Sequence, residues 1–260
     1  MTGNGLFARR AIHAKAARMS SIGIYGSLGR MGVAIRDILA EQGVKLAGGA
    51  DAGDDPATLA NAADALVDFS TPAALESHLA AARGAGTPIV IGTTGLNAHH
   101  HALIDDAARD IAVLQTGNTS LGVVLLARLV REAAARLGPD WDIEIAEMHH
   151  RQKVDAPSGT ALMLGEAAAA GREVSLGEVR VADRAGLTGA RAEGTIGFAS
   201  LRGGTVIGDH LVVLAGAGER IELAHRAEDR AIFARGAVRA ALWLAGRPAG
   251  RYTMDAVLGL

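Results

Sequence analysis

The sequence predicts an α/β protein in two parts: an N-terminal parallel sheet with helices on both faces, then a mixed α+β domain. Three observations predict it. Short apolar runs alternate with helical stretches through the first half of the 260 residues, a glycine-rich turn follows the first of those runs, and the texture changes after Asn118. Strands alternating with helices imply crossover units and a parallel sheet. Right-handed crossovers then place helices on both faces.

Taken in order, residues 22–25 read as a buried strand, and 26–32 as a turn that opens a helix through residue 39. Strands follow at 44–50, 65–69, 88–91 and 111–115, with helices at 73–85 and 96–110 between them. A long helix at 121–137 begins the second part, followed by a strand at 143–148, a polar loop and a helix at 159–170. Residues 179–225 are strand-like and punctuated by Gly194, Gly197, Gly203, Gly204, Gly208, Gly216 and Gly218. Helix returns at 226–245, and the tail to Leu260 is expected to pack back on the first domain.

Composition narrows the function. With 26 basic and 28 acidic residues the formal charge is -2, so no strong field favours nucleic acid or a membrane surface. Absence of cysteine excludes disulfides, thiolate metal sites and a cysteine nucleophile, and fits a reducing cytoplasm. Aromatics at 3% make base-stacking platforms poor candidates. No apolar run approaches the roughly 20 residues of a membrane span. The first twenty residues contain Arg9, Arg10, Lys15 and Arg18 and no acid, superficially like a transit peptide. Because the first strand begins just after Met19, that residue is expected to be the natural start, with 1–20 a poorly ordered extension.

Gly26-Ser27-Leu28-Gly29-Arg30-Met31-Gly32 has the spacing G-x-x-G-x-x-G between a strand and a helix. Such glycines serve the tight turn, the approach of backbone to a pyrophosphate, and helix–strand packing, as in Rossmann-type dinucleotide sites. With 34 glycines in the chain the motif alone is weak. Asp51 strengthens it, ending the next strand about 20 residues on, where an acid accepts from the adenosine ribose. The competing reading of Asp51 is a cap within the acidic run 51–55. Ala52 follows it, so nothing adjacent neutralises a 2′-phosphate. NADH is therefore the expected cofactor, with NADPH possible should Arg30 soften the repulsion. Gly92-Thr93-Thr94-Gly95 and Thr116-Gly117-Asn118-Thr119 end two further strands on the same rim, where open α/β sheets bind ligands.

The stretch 147–160 places His149, His150, Arg151 and Lys153 in one strand-to-helix connection. Neighbouring residues on a strand point to opposite faces, so the two imidazoles do not share a metal. His99-His100-His101 falls at an exposed helix start, and no metal is expected there either. A cationic cluster suits an anionic substrate, and Pro157-Ser158-Gly159-Thr160 reads as a helix N-terminus able to hold a carboxylate. A solvated basic loop is the plain alternative.

Residues 147–161 resemble the signature of the dihydrodipicolinate reductase family, E-x-H-H-x-x-K-x-D-x-P-S-G-T-A, at every fixed position. The turn 26–32, Asp68-Phe69, 92–95, Gly197-Phe198 and 233–243 are also similar to that family, so the resemblance runs from Ser20 to Leu260. It implies NADH- or NADPH-dependent reduction of 4-hydroxy-tetrahydrodipicolinate to tetrahydrodipicolinate with loss of water, in lysine and diaminopimelate biosynthesis. On this resemblance His149 is the general acid/base and Lys153 the proton donor. His150, Gly159 and Thr160 bind a small cyclic dicarboxylate. Gly26, Ser27, Leu28, Gly29, Arg30, Met31, Asp51, Gly92, Thr93, Thr94, Thr116, Gly117, Asn118 and Thr119 line the cofactor. Residues 21–119 with 231–260 would form the dinucleotide-binding domain. Residues 120–230 would form the substrate and tetramerisation domain of a homotetramer. Thr119 stands where the family commonly has Phe, and Ala52 where NADPH-using members often have Arg. The rivals are another amino-acid reductase of Rossmann type, such as an aspartate or homoserine dehydrogenase, and a nucleotide-sensing module without turnover. Neither needs His149 and Lys153 together.

Overall fold

The computed structural model describes residues 20–182 and 184–260. The expected extension 1–20 falls outside them except for Ser20. Two compact units emerge. One takes the described chain up to Thr116 together with Ala237–Thr253, and the other takes Gly117–Gly236 and Met254–Leu260.

In the first unit β1 (Ser21–Tyr25), β2 (Lys45–Ala50), β3 (Ala65–Asp68), β4 (Ile89–Ile91) and β5 (Ala112–Gln115) are joined by β11 (Gly250–Tyr252). Every pairing is parallel, in the order β11-β5-β4-β3-β1-β2. β1, β3 and β4 are buried at every residue, as expected of parallel strands covered on both faces. Chain order reverses between β1 and β3, which makes their carboxyl ends the crevice of such a sheet. The helices of this unit include α1 (Arg30–Gln42), α3 (Leu75–Ala85) and α4 (Ala98–Ala107). Gly43 and Gly86 end α1 and α3 in the left-handed conformation that glycine adopts without steric cost.

Two elements of this unit differ from the expectation. A seven-residue helix, α2 (Pro56–Ala62), lies between the second and third strands, where no helix is expected from the sequence, with Asp55 accepting from Ala57 N and Thr58 N and Pro56 in the first turn. The tail divides: β11 extends the first sheet beside β5, but α9 (Met254–Leu258) packs with the second unit against α5 (Leu121–Leu137).

The second unit is a five-stranded mixed sheet, order β10-β9-β6-β8-β7. Its strands are β6 (Asp142–His149), β7 (Arg180–Val181), β8 (Ile196–Arg202), β9 (Gly208–Gly216) and β10 (Glu219–Ala227). β10 pairs with β9 over all nine residues to Ala227. The helix expected from 226 therefore begins later, as α8 (Ala231–Leu244). α5 and α6 (Gly159–Gly171) cover one sheet face, and a single helical turn, α7 (Leu176–Val179), precedes β7. Burial alternates along β6, with Ile143, Ile145, Glu147 and His149 turned inward. Ile143 and Ile145 join Val130, Leu164, Val212 and Leu214 in the core. A Cβ on Gly171 would lie 2.3 Å from the Arg131 carbonyl, so glycine permits the close approach of α6 to α5.

Candidate active site

On the first unit the turn after β1 is built around glycines. Gly26 has φ +77°, and a Cβ there would meet the Phe69 carbonyl at 2.7 Å. A Cβ on Gly32 would stand 2.3 Å from Gly26 O, so the first turn of α1 lies directly on the loop. Gly29 caps α1 without a side-chain hydrogen bond, which leaves the first-turn N–H groups available to a phosphate. Asp51 reaches back to this loop. It accepts from Ser27 Oγ at 2.5 Å and from Leu28 N at 3.2 Å, while Asp54 and Asp55 do the local capping. A cleft of about 350 Å³ opens here, lined by Gly26, Gly29, Asp51, Phe69, Ser70 and His78 among others. Glycines at the turn, an open helix N-terminus and a carboxylate at the tip of the second strand fit a dinucleotide.

The rim is organised by Asp68, which is fully buried. It accepts from Ser70 N and Oγ, from Thr93 Oγ1 at 3.2 Å, and from His78 Nδ1 at 2.8 Å. His78 also stacks on Tyr25 at 3.9 Å between ring centroids. The Thr93 hydroxyl is thus turned into the sheet, whereas Thr94, Leu28 and Arg30 are exposed. Gly92 leaves room for the Phe69 ring, which a Cβ would strike at 2.2 Å.

On the second unit β6 delivers Glu147 and His149 to the same face, two residues apart. Glu147 Oε2 accepts from His149 Nδ1 at 2.6 Å, and Glu147 Oε1 accepts from Ser158 N at 3.2 Å. Arg202, from the neighbouring β8, grips both Glu147 oxygens at 2.8 and 2.9 Å. Burial opposes ionisation of Glu147. Donation from Arg202, His149 and Ser200 outweighs it and holds the carboxyl at about 2. His210, on β9, meets His149 edge-on with centroids 5.2 Å apart. Its Nε2 accepts from Ser158 Oγ at 3.1 Å. Burial, and then the neighbouring His149, push His210 down to about 4, so the ring is neutral near pH 7.

Ser158 caps α6, its Oγ accepting from Ala161 N at 3.2 Å. Gly159 is exposed at the start of that helix, and Thr160 Oγ1 accepts from Asn118 Nδ2 at 3.0 Å. Lys153 Nζ pairs with Asp155 at 2.7 and 2.8 Å and holds that carboxyl below its usual range. His150 Nε2 lies 3.3 Å from the Arg230 guanidinium. Partial burial, then Arg230, lower its affinity for a proton.

The expected residues thus divide between the units. The loop 26–31, Asp51, 92–94 and Thr116 belong to the first, while Gly117, Asn118, Thr119, His149, His150, Lys153, Gly159 and Thr160 belong to the second. Thr119 is buried with its hydroxyl donated to Phe233 O at 2.7 Å, and Asn118 is tied to Thr160 and Ser120. Arg202, His210 and Arg230 were not anticipated. The only signals for them were glycines at 203, 204 and 208, which read as punctuation. His100 proves to be half of a capping box with Asn97. Among the described residues, no group of three or more His, Asp or Glu is placed to hold a metal, and no helix is long and apolar enough to cross a membrane.

Residues 20–119 match the family described as dihydrodipicolinate reductase, N-terminus, and residues 122–258 match its C-terminus. The chain belongs to the dihydrodipicolinate reductase family. Within it, 4-hydroxy-tetrahydrodipicolinate reductase from Zymomonas mobilis is 56% identical over 246 residues, covering 92% of this chain and 97% of that protein. The reductase of the same name from Brucella abortus is 51% identical over 262 residues, covering 91% and 98%. Among solved structures, a dipicolinate-bound dihydrodipicolinate reductase from Paenisporosarcina sp. TG-14 superposes with a TM-score of 0.67. It covers 90% of this chain and 97% of that one, at 23% identity, a likeness of fold.

Proposed function

We propose that the chain catalyses reduction of 4-hydroxy-tetrahydrodipicolinate to tetrahydrodipicolinate with loss of water, in lysine and diaminopimelate biosynthesis, with a nicotinamide cofactor. The observation that carries it is the set His149, Lys153 and the exposed Gly159 at the first turn of α6, all reached by one connection from β6. Bound reduced nicotinamide supplies the hydride. Hydride addition to a conjugated C=N/C=C system builds negative charge that a nearby acid must quench. Lys153 donates that proton and His149 acts as general acid/base. Gly159 N–H, the Thr160 hydroxyl and His150 hold a substrate carboxylate at the helix terminus.

The cofactor contacts the residue 26–31 loop, Asp51 and the strand-end turns 92–94 and 116–119. Asp51 accepts from the adenosine ribose and makes NADH the preferred form. Thr93 and Thr119 act there through backbone, since their hydroxyls are spent on Asp68 and Phe233. The enzyme works in the cytoplasm as a homotetramer. Its second-unit sheets meet through the face opposite α5 and α6, where Met148 neighbours Leu201 and Ala146 neighbours Leu211.

Loss of nicotinamide absorbance, with substrate generated by a coupled synthase, tests the reading. Lys153→Ala is expected to lower kcat about 100-fold with NADH affinity retained. A module that only senses nucleotide would show no turnover to lose.

A further inference from the structure

The family signature contains a glutamate two residues before the acid/base histidine, and its surroundings give that glutamate a defined task. Glu147 and His149 lie on the same face of β6, so carboxylate and imidazole meet directly at 2.6 Å. An ionised carboxylate only accepts, so the ring nitrogen facing it must carry a proton. That nitrogen is Nδ1. The opposite nitrogen, Nε2, faces Gly208, where even a Cβ would come within 3.0 Å of it. The fold therefore occupies one imidazole nitrogen with an acceptor and, through Gly208, sets no side chain of that residue against the other.

We propose that Glu147, held by Arg202, is a positioning residue that fixes His149 as the Nδ1–H tautomer and makes Nε2 the nitrogen exchanging a proton with substrate. This rests on the assignment of His149 as acid/base. The same carboxylate also seats the carboxylate-binding helix, because its Oε1 accepts from Ser158 N. One acid thus sets the orientation of the proton-transfer group and of the anion cradle. The titratable and charged groups around the pair are consistent with this division. Arg202 from β8 holds Glu147 ionised, and His210 from β9 presents a neutral ring to His149. Lys153, on the loop after β6, is paired with Asp155.

Glu147→Gln should invert the tautomer rather than abolish the contact. The Oε1 position meets two fixed donors, Ser158 N–H and Arg202 Nη2, whereas the Oε2 position meets one, Arg202 Nη1, beside the His149 ring, whose proton can shift; the Gln carbonyl is therefore expected at Oε1. The amide NH₂ is left facing His149 and can only donate to Nδ1, driving the ring proton to Nε2. Two-bond ¹H–¹⁵N spectra of histidine-labelled full-length protein read this directly, at a pH where the ring is neutral. The His149 signals are assigned by their loss in His149→Gln.

The expected result is a protonated Nδ1 in the wild type and a protonated Nε2 in Glu147→Gln. With the latter, kcat falls about 100-fold and NADH affinity stays within about a factor of two of wild type. A wild-type ring protonated on Nε2, or an unchanged tautomer in Glu147→Gln, overturns the proposal and leaves Glu147 as a helix anchor. Should Glu147→Gln fail to fold, Arg202→Met supplies the test. It keeps the carboxylate and the tautomer but should move the acid limb of the kcat profile to higher pH, and an unmoved limb overturns the proposal. Full turnover by His149→Gln would instead remove the acid/base assignment, while the tautomer of the wild-type ring would still be read.

Discussion

The side-chain amide of Asn118 donates to the Thr160 hydroxyl at 3.0 Å, and its carbonyl oxygen accepts from Ser120 N at 2.8 Å. The Thr160 oxygen is thereby used as an acceptor, so its own proton remains to be donated. At the first turn of α6, the partner it suits is an anion held by the helix N-terminus. Thr160→Val keeps the shape and removes the donor. It is expected to raise KM for the dicarboxylate about tenfold, or ~1.4 kcal/mol, and to leave KM for NADH alone. Steady-state kinetics with each substrate varied in turn would check it; an unchanged dicarboxylate KM counts against the cradle.

Asp51 presents a carboxylate at the tip of β2 and spends part of its accepting capacity on Ser27 Oγ and Leu28 N. In the bound state the ribose hydroxyls would compete for the remainder. Asp51→Ala is expected to raise KM for NADH about tenfold while raising KM for NADPH less, because the variant also loses repulsion of a 2′-phosphate. The ratio of the two kcat/KM values should move toward NADPH. Equal values in wild type and variant would refute the ribose role.

On the sheet face turned away from α5 and α6, Leu201 is 52% exposed, and beside it Ala146, Met148 and Leu211 border a cleft of about 150 Å³. Apolar side chains in cross-strand register on an uncovered face suit a second copy of the same sheet. Leu201→Glu would place a charge in that contact. Sedimentation is expected to find a tetramer for the wild type and a smaller species for the variant, with NADH affinity unchanged. A monomeric wild type at micromolar concentration would remove the tetramer.

What the amino-acid pattern revealed depended on whether the cause was local. α5 spans Leu121–Leu137, as its periodicity implied, because an apolar stripe, a Ser120 cap and Gly138 all lie in the same twenty residues. α2 is not legible because seven alanine-rich residues carry no stripe, and its start signal, Asp55-Pro56, closes the acidic run 51–55, which by itself offers only a cap. β11 is three residues held by pairing with β5, which no local pattern encodes. The site follows the same rule. Glu147 to Thr160 was legible because it is one contiguous connection. Arg202, His210 and Arg230 arrive from 55, 52 and 80 residues away in their contacts with Glu147, Ser158 and His150. Residue type placed Thr93 and Thr119 on the rim, but tertiary contacts decide where their hydroxyls point.

Two buried groups set how the second unit responds to acid, in separate pH windows. His210 is depressed from 6.5 to about 4, chiefly by burial. The unfolded chain therefore takes up a proton first, and stability falls as pH drops from about 6.5 toward 4. His225, also lowered mainly by burial, adds in the same direction. Glu147 is depressed from 4.5 to about 2, because hydrogen bonds from Arg202, His149 and Ser200 outweigh its burial. Its contribution is complete above about 4.5 and is lost as pH falls toward 2. Each group accounts for about 3 kcal/mol across its window, an order-of-magnitude conversion of the two displacements. Denaturant midpoints measured against pH should show both slopes in the wild type. His210→Gln should flatten the upper one and Arg202→Met the lower. A wild-type midpoint that stays level from pH 6.5 to 4 would mean that His210 takes up its proton inside the folded protein.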